Sequence, residues 1–148
     1  MKQKFKTMIP WVLLIIWCIL IFSFSAKTAD QSTKDSDKII FSFVKKMDRS
    51  LYDKLSILVR KSAHFFLYFL LGVFSQFAFS TLKKIKHLYR LSFYFCALYA
   101  VSDEVHQFFV PGRSCQLTDI LLDSAAACCS ILLCRHIIRR CQKHKQKQ

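Results

Sequence analysis

Between Ser102 and Asp123 the chain places Asp103, Glu104, His106, Gln107, Arg113, Asp119 and Asp123 on and between two segments otherwise apolar enough to lie in a bilayer. An ionisable group at membrane depth costs roughly 2.5 to 3.5 kcal/mol on insertion scales and marks a functional site by default. Glu104 and His106 are the candidate general bases, with Asp103 beside them. Arg113 carries the planar fork that grips a phosphate or carboxylate through two parallel hydrogen bonds. A second polar set lies upstream, where Arg60, His64 and Tyr68 follow one another at i, i+4 and i+8 with Lys61 at their flank.

The elements that must carry these residues are helices. With 148 residues, 53% hydrophobic content, fifteen Phe and only two Gly and two Pro, the composition is that of one compact membrane bundle, residues 1–148 as a single domain. Four apolar segments, 8–25, 62–82, 91–110 and 117–138, approach the ~20 residues that cross about 30 Å of hydrocarbon. Backbone groups in lipid must find partners within their own segment, which makes these segments helices. The expected fold is an all-α membrane protein, a four-transmembrane-helix bundle with an amphipathic outer segment between spans one and two.

The net charge of +14 does not point to nucleic acid, because of where it sits. With a cytoplasmic amino terminus, thirteen basic residues and no acid fall inside, among them Lys83, Lys84, Lys86, Arg90 and the basic tail 139–148. The outside receives ten basic residues together with Asp30, Asp35, Asp37, Asp48 and Asp53. The positive-inside rule therefore places both termini in the cytoplasm, the tail facing lipid headgroups as a disordered segment. Three lysines ahead of the first apolar run, and Ser23 and Ser25 before Ala26, fit a cleaved signal peptide, but a run of about eighteen residues is long for one and favours an uncleaved anchor. Of seven cysteines only Cys115 faces outward, and no C-x-x-C spacing exists, so neither a disulfide nor a thiolate metal site is expected.

Residues 26–60 form the one sizeable polar insertion. Ile39, Ile40, Phe43, Val44 and Met47 recur within it at helical spacing, as do Leu51, Leu55 and Leu58, with Asp35, Ser36 and Asp37 as candidate caps. An amphipathic helix on the outer membrane face, or packed over the bundle, fits that pattern. Pro111-Gly112 is a strong turn signal, so spans three and four form a tight antiparallel hairpin. Three helix ends then meet at one leaflet with Arg60, Lys61, His64 and Tyr68 on one, Asp103, Glu104, His106 and Gln107 on the next, and Asp119 and Asp123 on the last. The small residues Ala126, Ala127 and Ser130 continue the face of Asp119 and Asp123, where helices can approach closely.

Two interpretations compete for this cluster. It is either a salt-bridge network that fixes the bundle, with Asp103–Arg113 and Asp119–Arg60 as natural pairs, or a site. A buried ionic network is a costly way to hold apolar helices, which favours the site. His64, His106, Glu104, Asp119 and Asp123 supply ligand types used by zinc or manganese, but their spacing matches no recognised metal motif, so metal and cofactor stay unknown.

In order along the chain, Arg60-Lys61-Ser62-Ala63-His64-Phe65 with Tyr68 and Gly72, then Ser102-Asp103-Glu104-x-His106-Gln107-Phe108 through Pro111-Gly112-Arg113, then Asp119 and Asp123, resemble the VanZ-like family of bacterial membrane proteins over residues 58–135. Ser124-Ala125-Ala126-Ala127 depart from it, standing where a run with a glycine is expected. The resemblance implies a multi-pass protein of the bacterial cytoplasmic membrane, from a family whose namesake is associated with reduced susceptibility to the lipid-tailed glycopeptide teicoplanin; it implies no particular reaction. Two functions stay open. In one, Arg60, Lys61 and Arg113 hold the headgroup or phosphate of a membrane lipid or lipid-linked envelope component, positioned by the carboxylates with His64, Tyr68 and Gln107. In the other, an intramembrane hydrolase or transferase uses Glu104 or His106 as base and Arg113 as clamp on a lipid-linked substrate.

Overall fold

A computed structural model of the chain describes residues 2–43, 48–82 and 87–145. Five helices follow in order: α1 (Lys2–Ser25), α2 (Ala29–Phe43), α3 (Arg49–Ser80), α4 (Leu88–Phe108) and α5 (Leu117–Lys145). No strand occurs among the described residues. α3 is the central helix, packed against each of the other four.

Three of these helices are long and apolar enough to cross a membrane, over Thr7–Ser25, Ser50–Ser80 and Leu117–Cys141. Their outer faces match: Val12, Ile15, Ile16 and Ile19 on α1, Phe66 and Phe77 on α3, and Leu132 and Leu133 on α5 are all exposed. Such continuous apolar surface is what lipid, rather than water, solvates. α4, expected as the third of four spans, has 21 residues, roughly 31 Å at about 1.5 Å per residue. Its last two turns, however, carry Asp103, Glu104, His106 and Gln107, so length is met and apolarity is not.

The insertion 26–60 resolves differently from its sequence pattern. α2 begins at Ala29, and its start is a reciprocal capping box: the Gln31 N–H donates to Thr28 Oγ1 and the Thr28 N–H donates to Gln31 Oε1. Asp35, Ser36 and Asp37 therefore lie inside the helix rather than capping it. Ile40 is buried, whereas Val44 and Met47 fall outside the described residues. The Leu51, Leu55 and Leu58 repeat belongs to no separate outer helix; it is the continuous beginning of α3, which starts thirteen residues before the expected boundary at 62. α5 likewise continues to Lys145, so residues 139–145 of the basic tail are helical. The basic segment 83–86 lies outside the described residues.

The core is built by small residues and by hydrogen bonds that each helix lends its neighbour. Ala126, Ala127 and Ser130 of α5 are fully buried against α3. A Cβ on Gly72 would stand 2.1 Å from Ser130 Oγ and 2.7 Å from the Ala127 carbonyl oxygen, so the two backbones meet where only glycine fits. α1 is tied in by Trp17 Nε1 donating to the Leu67 carbonyl (2.9 Å), Trp11 Nε1 donating to Thr81 Oγ1 (3.0 Å), and the Tyr99 hydroxyl donating to the Cys18 carbonyl (2.6 Å).

Gly72→Ala measures the α3–α5 contact. Ordinarily alanine would add helix propensity, but a backbone carbonyl cannot step aside as a side chain can. The variant should lose about 1–3 kcal/mol in reversible unfolding in detergent. Unchanged or increased stability would mean that α3 and α5 do not meet at this residue.

Candidate functional site

The end of α4 and the start of α5 converge on the middle of α3, whose start at Arg49 leaves Arg60, Lys61 and His64 inside the helix rather than at the expected end, and together they line a cavity of about 250 Å³. Of the sequence candidates, Arg60, Lys61, His64, Gln107, Arg113, Asp119 and Asp123 line it, joined by Ser114 and Gln116. Asp103 and Tyr68 are buried next to this wall, Tyr68 within electrostatic range of both Asp103 and Asp123. His64 Nδ1 stands 3.8 Å from Asp123 Oδ2, joining α3 to α5.

The hydrogen-bond chain through Asp103 runs further than the sequence suggests. Asp103 Oδ2 accepts from Ser25 Oγ at 2.8 Å and from Gln107 Nε2 at 3.1 Å. Gln107 Oε1 in turn accepts from Arg113 Nη1 at 2.9 Å, and Arg113 Nε donates to the Lys27 carbonyl at 3.0 Å. Arg113 thus reaches Asp103 through Gln107 rather than by the direct pair expected, and Asp119 pairs with Lys61 at 2.5 Å rather than with Arg60. Among the described residues neither Arg60 nor Arg113 has a carboxylate partner. Burial, reinforced by the like charge of Arg60, pulls the Arg113 pKa below the usual guanidinium range; it remains a cation. The Lys27 ammonium holds Asp35 below the ordinary carboxylate range and so fastens α2 beside the same corner.

Two candidates lie elsewhere. The His106 ring stacks on Phe22 of α1 with centroids 4.2 Å apart, and it is not part of the cavity wall. Glu104, 2% exposed, accepts from the backbone N–H of Gln116 at 2.7 Å. That bond closes the hairpin: Val110 accepts from the Arg113 N–H across Pro111-Gly112, Gly112 takes φ 78°, and Gln116 opens α5.

Sequence reasoning missed Ser25, Lys27 and Gln116. Ser25 reads as one of several small residues at the end of an apolar run, and the other two act through backbone atoms, which side-chain type cannot announce. α1 and α2 also help to frame a second cavity of about 280 Å³, walled mainly by Phe24, Val59, Ala63, Phe66 and Leu67, with Arg60, His64 and Arg113 on one side and the Lys27–Asp35 pair, Ser32 and Ser36 also in its lining. The three cationic or protonatable groups therefore stand between a polar chamber and an apolar one. For metal chemistry, the donor atoms of His64, Asp103 and Asp123 lie within 4.8 Å of one another.

Helices with lipid-facing outer surfaces around a buried polar centre define an integral, multi-pass membrane protein. The family model described as VanZ/LLP1 matches residues 10–139, and the chain belongs to that family. Comparison with curated proteins gave no significant match, and comparison with solved structures gave none.

Glu104 can be tested as the hairpin's anchor. Glu104→Gln keeps an acceptor for the Gln116 N–H and should lose little stability. Glu104→Leu removes it and should cost about 1–3 kcal/mol in detergent unfolding. Equal stability of the two variants would remove the anchoring role.

Proposed function

We propose that this VanZ/LLP1 protein binds the anionic headgroup or phosphate of a membrane lipid or lipid-linked envelope component in the cavity between α3, α4 and α5. The observation that carries this reading is the pair of guanidiniums, Arg60 and Arg113, which border that cavity with, among the described residues, no carboxylate in direct ion-pair contact with either. A guanidinium desolvated without a counter-ion is costly, and an entering phosphate would supply the missing partner through bidentate hydrogen bonds. The adjoining chamber of Phe24, Val59, Phe66 and Leu67 supports an amphiphile over a free anion, since it offers an apolar slot beside the cationic rim. In this reading Lys61 and Asp119 form part of the rim, while Gln107 and Asp103 hold Arg113 in place.

The same proposal takes α4 as a fourth span, its polar turns at the outer leaflet, with both termini in the bacterial cytoplasm. A site at that depth would meet lipid-linked envelope components, and lowered susceptibility to lipid-tailed glycopeptides such as teicoplanin would follow from altering their display. A second reading, an intramembrane hydrolase or transferase, is favoured by one feature: His64 and Asp123 stand side by side on the wall of the cavity that Arg113 enters. There His64, oriented by Asp123, takes the general-base role in place of Glu104 or His106.

The test is binding of a short-chain phosphatidylglycerol against its phosphatidylcholine counterpart by the purified protein in detergent. The wild type should prefer the anionic lipid, and Arg60→Gln with Arg113→Gln should weaken that lipid's binding by at least about 100-fold, from the loss of two charge-assisted contacts worth ~1.5–3 kcal/mol each. Undiminished binding by the double variant would exclude the headgroup site. Turnover of a lipid-linked phosphate that disappears in His64→Gln would select the enzymatic reading.

A further inference from the structure

Asp103 and Asp123 are 3% and 2% exposed, and among the described residues neither has a lysine or arginine within ion-pair distance. Among the described residues the one basic side chain within 4.0 Å of either is His64, whose Nδ1 stands 3.8 Å from Asp123. Buried carboxylates survive by pairing, by losing their charge or by coordinating a metal. Their oxygens are also under-used. Asp103 accepts two hydrogen bonds, both on Oδ2, while among the described residues Asp103 Oδ1 and Asp123 Oδ1 are buried with no hydrogen-bond partner of good geometry, the buried Tyr68 hydroxyl lying beside Asp103.

We propose that His64, Asp103 and Asp123, one from each of α3, α4 and α5, bind a divalent cation, Mn²⁺ or Zn²⁺, beside the anion cavity. Their donor atoms already lie within 4.8 Å of one another. Four-coordinate zinc with bonds of ~2.0–2.1 Å sets its ligand atoms roughly 3.4 Å apart, a closure of at most about 1.4 Å that side-chain rotation supplies. One imidazole nitrogen with two carboxylate oxygens suits zinc and manganese and lacks the thiolates that would select softer ions. The ion would answer the charge of the two carboxylates, each of which has an oxygen without a hydrogen-bond partner among the described residues.

The neighbours fit the outer shell of such a site. Ser25 and Gln107 fix the Asp103 carboxylate by donating to Oδ2, leaving Oδ1 for the ion, and Arg113 in turn fixes Gln107. His64 and Asp123 both line the chamber that Arg60 and Arg113 enter. A phosphate held there would meet the cation on one side and guanidinium on the other, the arrangement that polarises a phosphoryl oxygen. The cation site itself stands on its three donors and does not require the anion.

The experiment uses the full-length, tag-free protein in detergent, stripped with chelator and titrated with Mn²⁺ alone while the free-ion paramagnetic resonance signal is followed. The wild type should bind one equivalent, displaced by added Zn²⁺. Loss of an outer-shell group costs 10- to 100-fold in metal affinity, so Asp123→Asn and His64→Gln, which remove ligands, should weaken binding by more than about 100-fold. Arg60→Gln should retain the cation while losing anionic lipid, which separates failure of this site from failure of the headgroup reading. A wild-type titration no different from protein-free micelles would overturn the proposal, whatever the folding of the variants. Mn²⁺ binding left intact in Asp123→Asn and His64→Gln would overturn it equally.

Discussion

Two carboxylates buried at the meeting of four helices set the terms for the rest of this molecule. Asp103 and Asp123 are almost wholly withdrawn from solvent, in a bundle whose outward surfaces are Ile, Leu, Val and Phe. Leaving either without polar neighbours would cost far more than helix packing returns, so each surrounding helix contributes a polar group to them. α1 sends Ser25, α3 sends His64, and α4 sends Gln107 from the turn after Asp103. Removal of any of these leaves a buried carboxyl oxygen less well satisfied, which ties α1, α3, α4 and α5 to the same centre.

From that centre the polar chain leads outward to the function proposed. Asp103 holds Gln107, Gln107 holds Arg113, and Arg113 is braced against the Lys27 carbonyl at the end of α1. The result is a guanidinium aimed and partly desolvated without its own counter-ion, facing Arg60 across a chamber. The close α3–α5 crossing at Gly72, Ala127 and Ser130 plays the mechanical part: it brings the two helices near enough for His64 to reach Asp123 and Lys61 to reach Asp119. Packing and electrostatics are thus coupled along one helix pair, with small residues on the apolar half and charges on the polar half.

Much of this was legible in the residue order because the signals are periodic or chemically costly. The i, i+4 steps of Arg60, His64 and Tyr68 and of Asp119 and Asp123 put each set on one helical face, and Pro111-Gly112 dictated the hairpin. Small residues after Asp123 announced the close crossing. The capping box of Thr28 and Gln31 was also present in the sequence, although the acidic run at Asp35 to Asp37 drew attention from it. What periodicity could not give was partner choice. Asp119 chose Lys61 over Arg60, and His106 turned to Phe22, because those choices depend on helix rotation by a few tens of degrees. Contacts made through backbone atoms, such as Gln116 to Glu104 and Arg113 to Lys27, leave no mark on side-chain type at the residue that supplies the backbone group. The long continuity of α3 was hidden because the Leu51, Leu55 and Leu58 repeat is set among polar residues and reads as an outer amphipathic segment separate from the apolar run that begins at 62.

The central claim, that burial of Asp103 draws a separate helix into the polar centre, is tested most directly by a double-mutant cycle between Ser25→Ala and Asp103→Ala, each of which removes the hydrogen bond, read as reversible unfolding in detergent. Hydrogen bonds inside membrane proteins average about 0.6 kcal/mol in such cycles, and groups sharing one network couple by ~0.5–3 kcal/mol. A coupling of at least about 0.5 kcal/mol between the two sites is the expected result. Strict additivity, with each substitution costing the same whether or not the other is present, would show that α1 does not contact the buried carboxylate and would contradict the arrangement described.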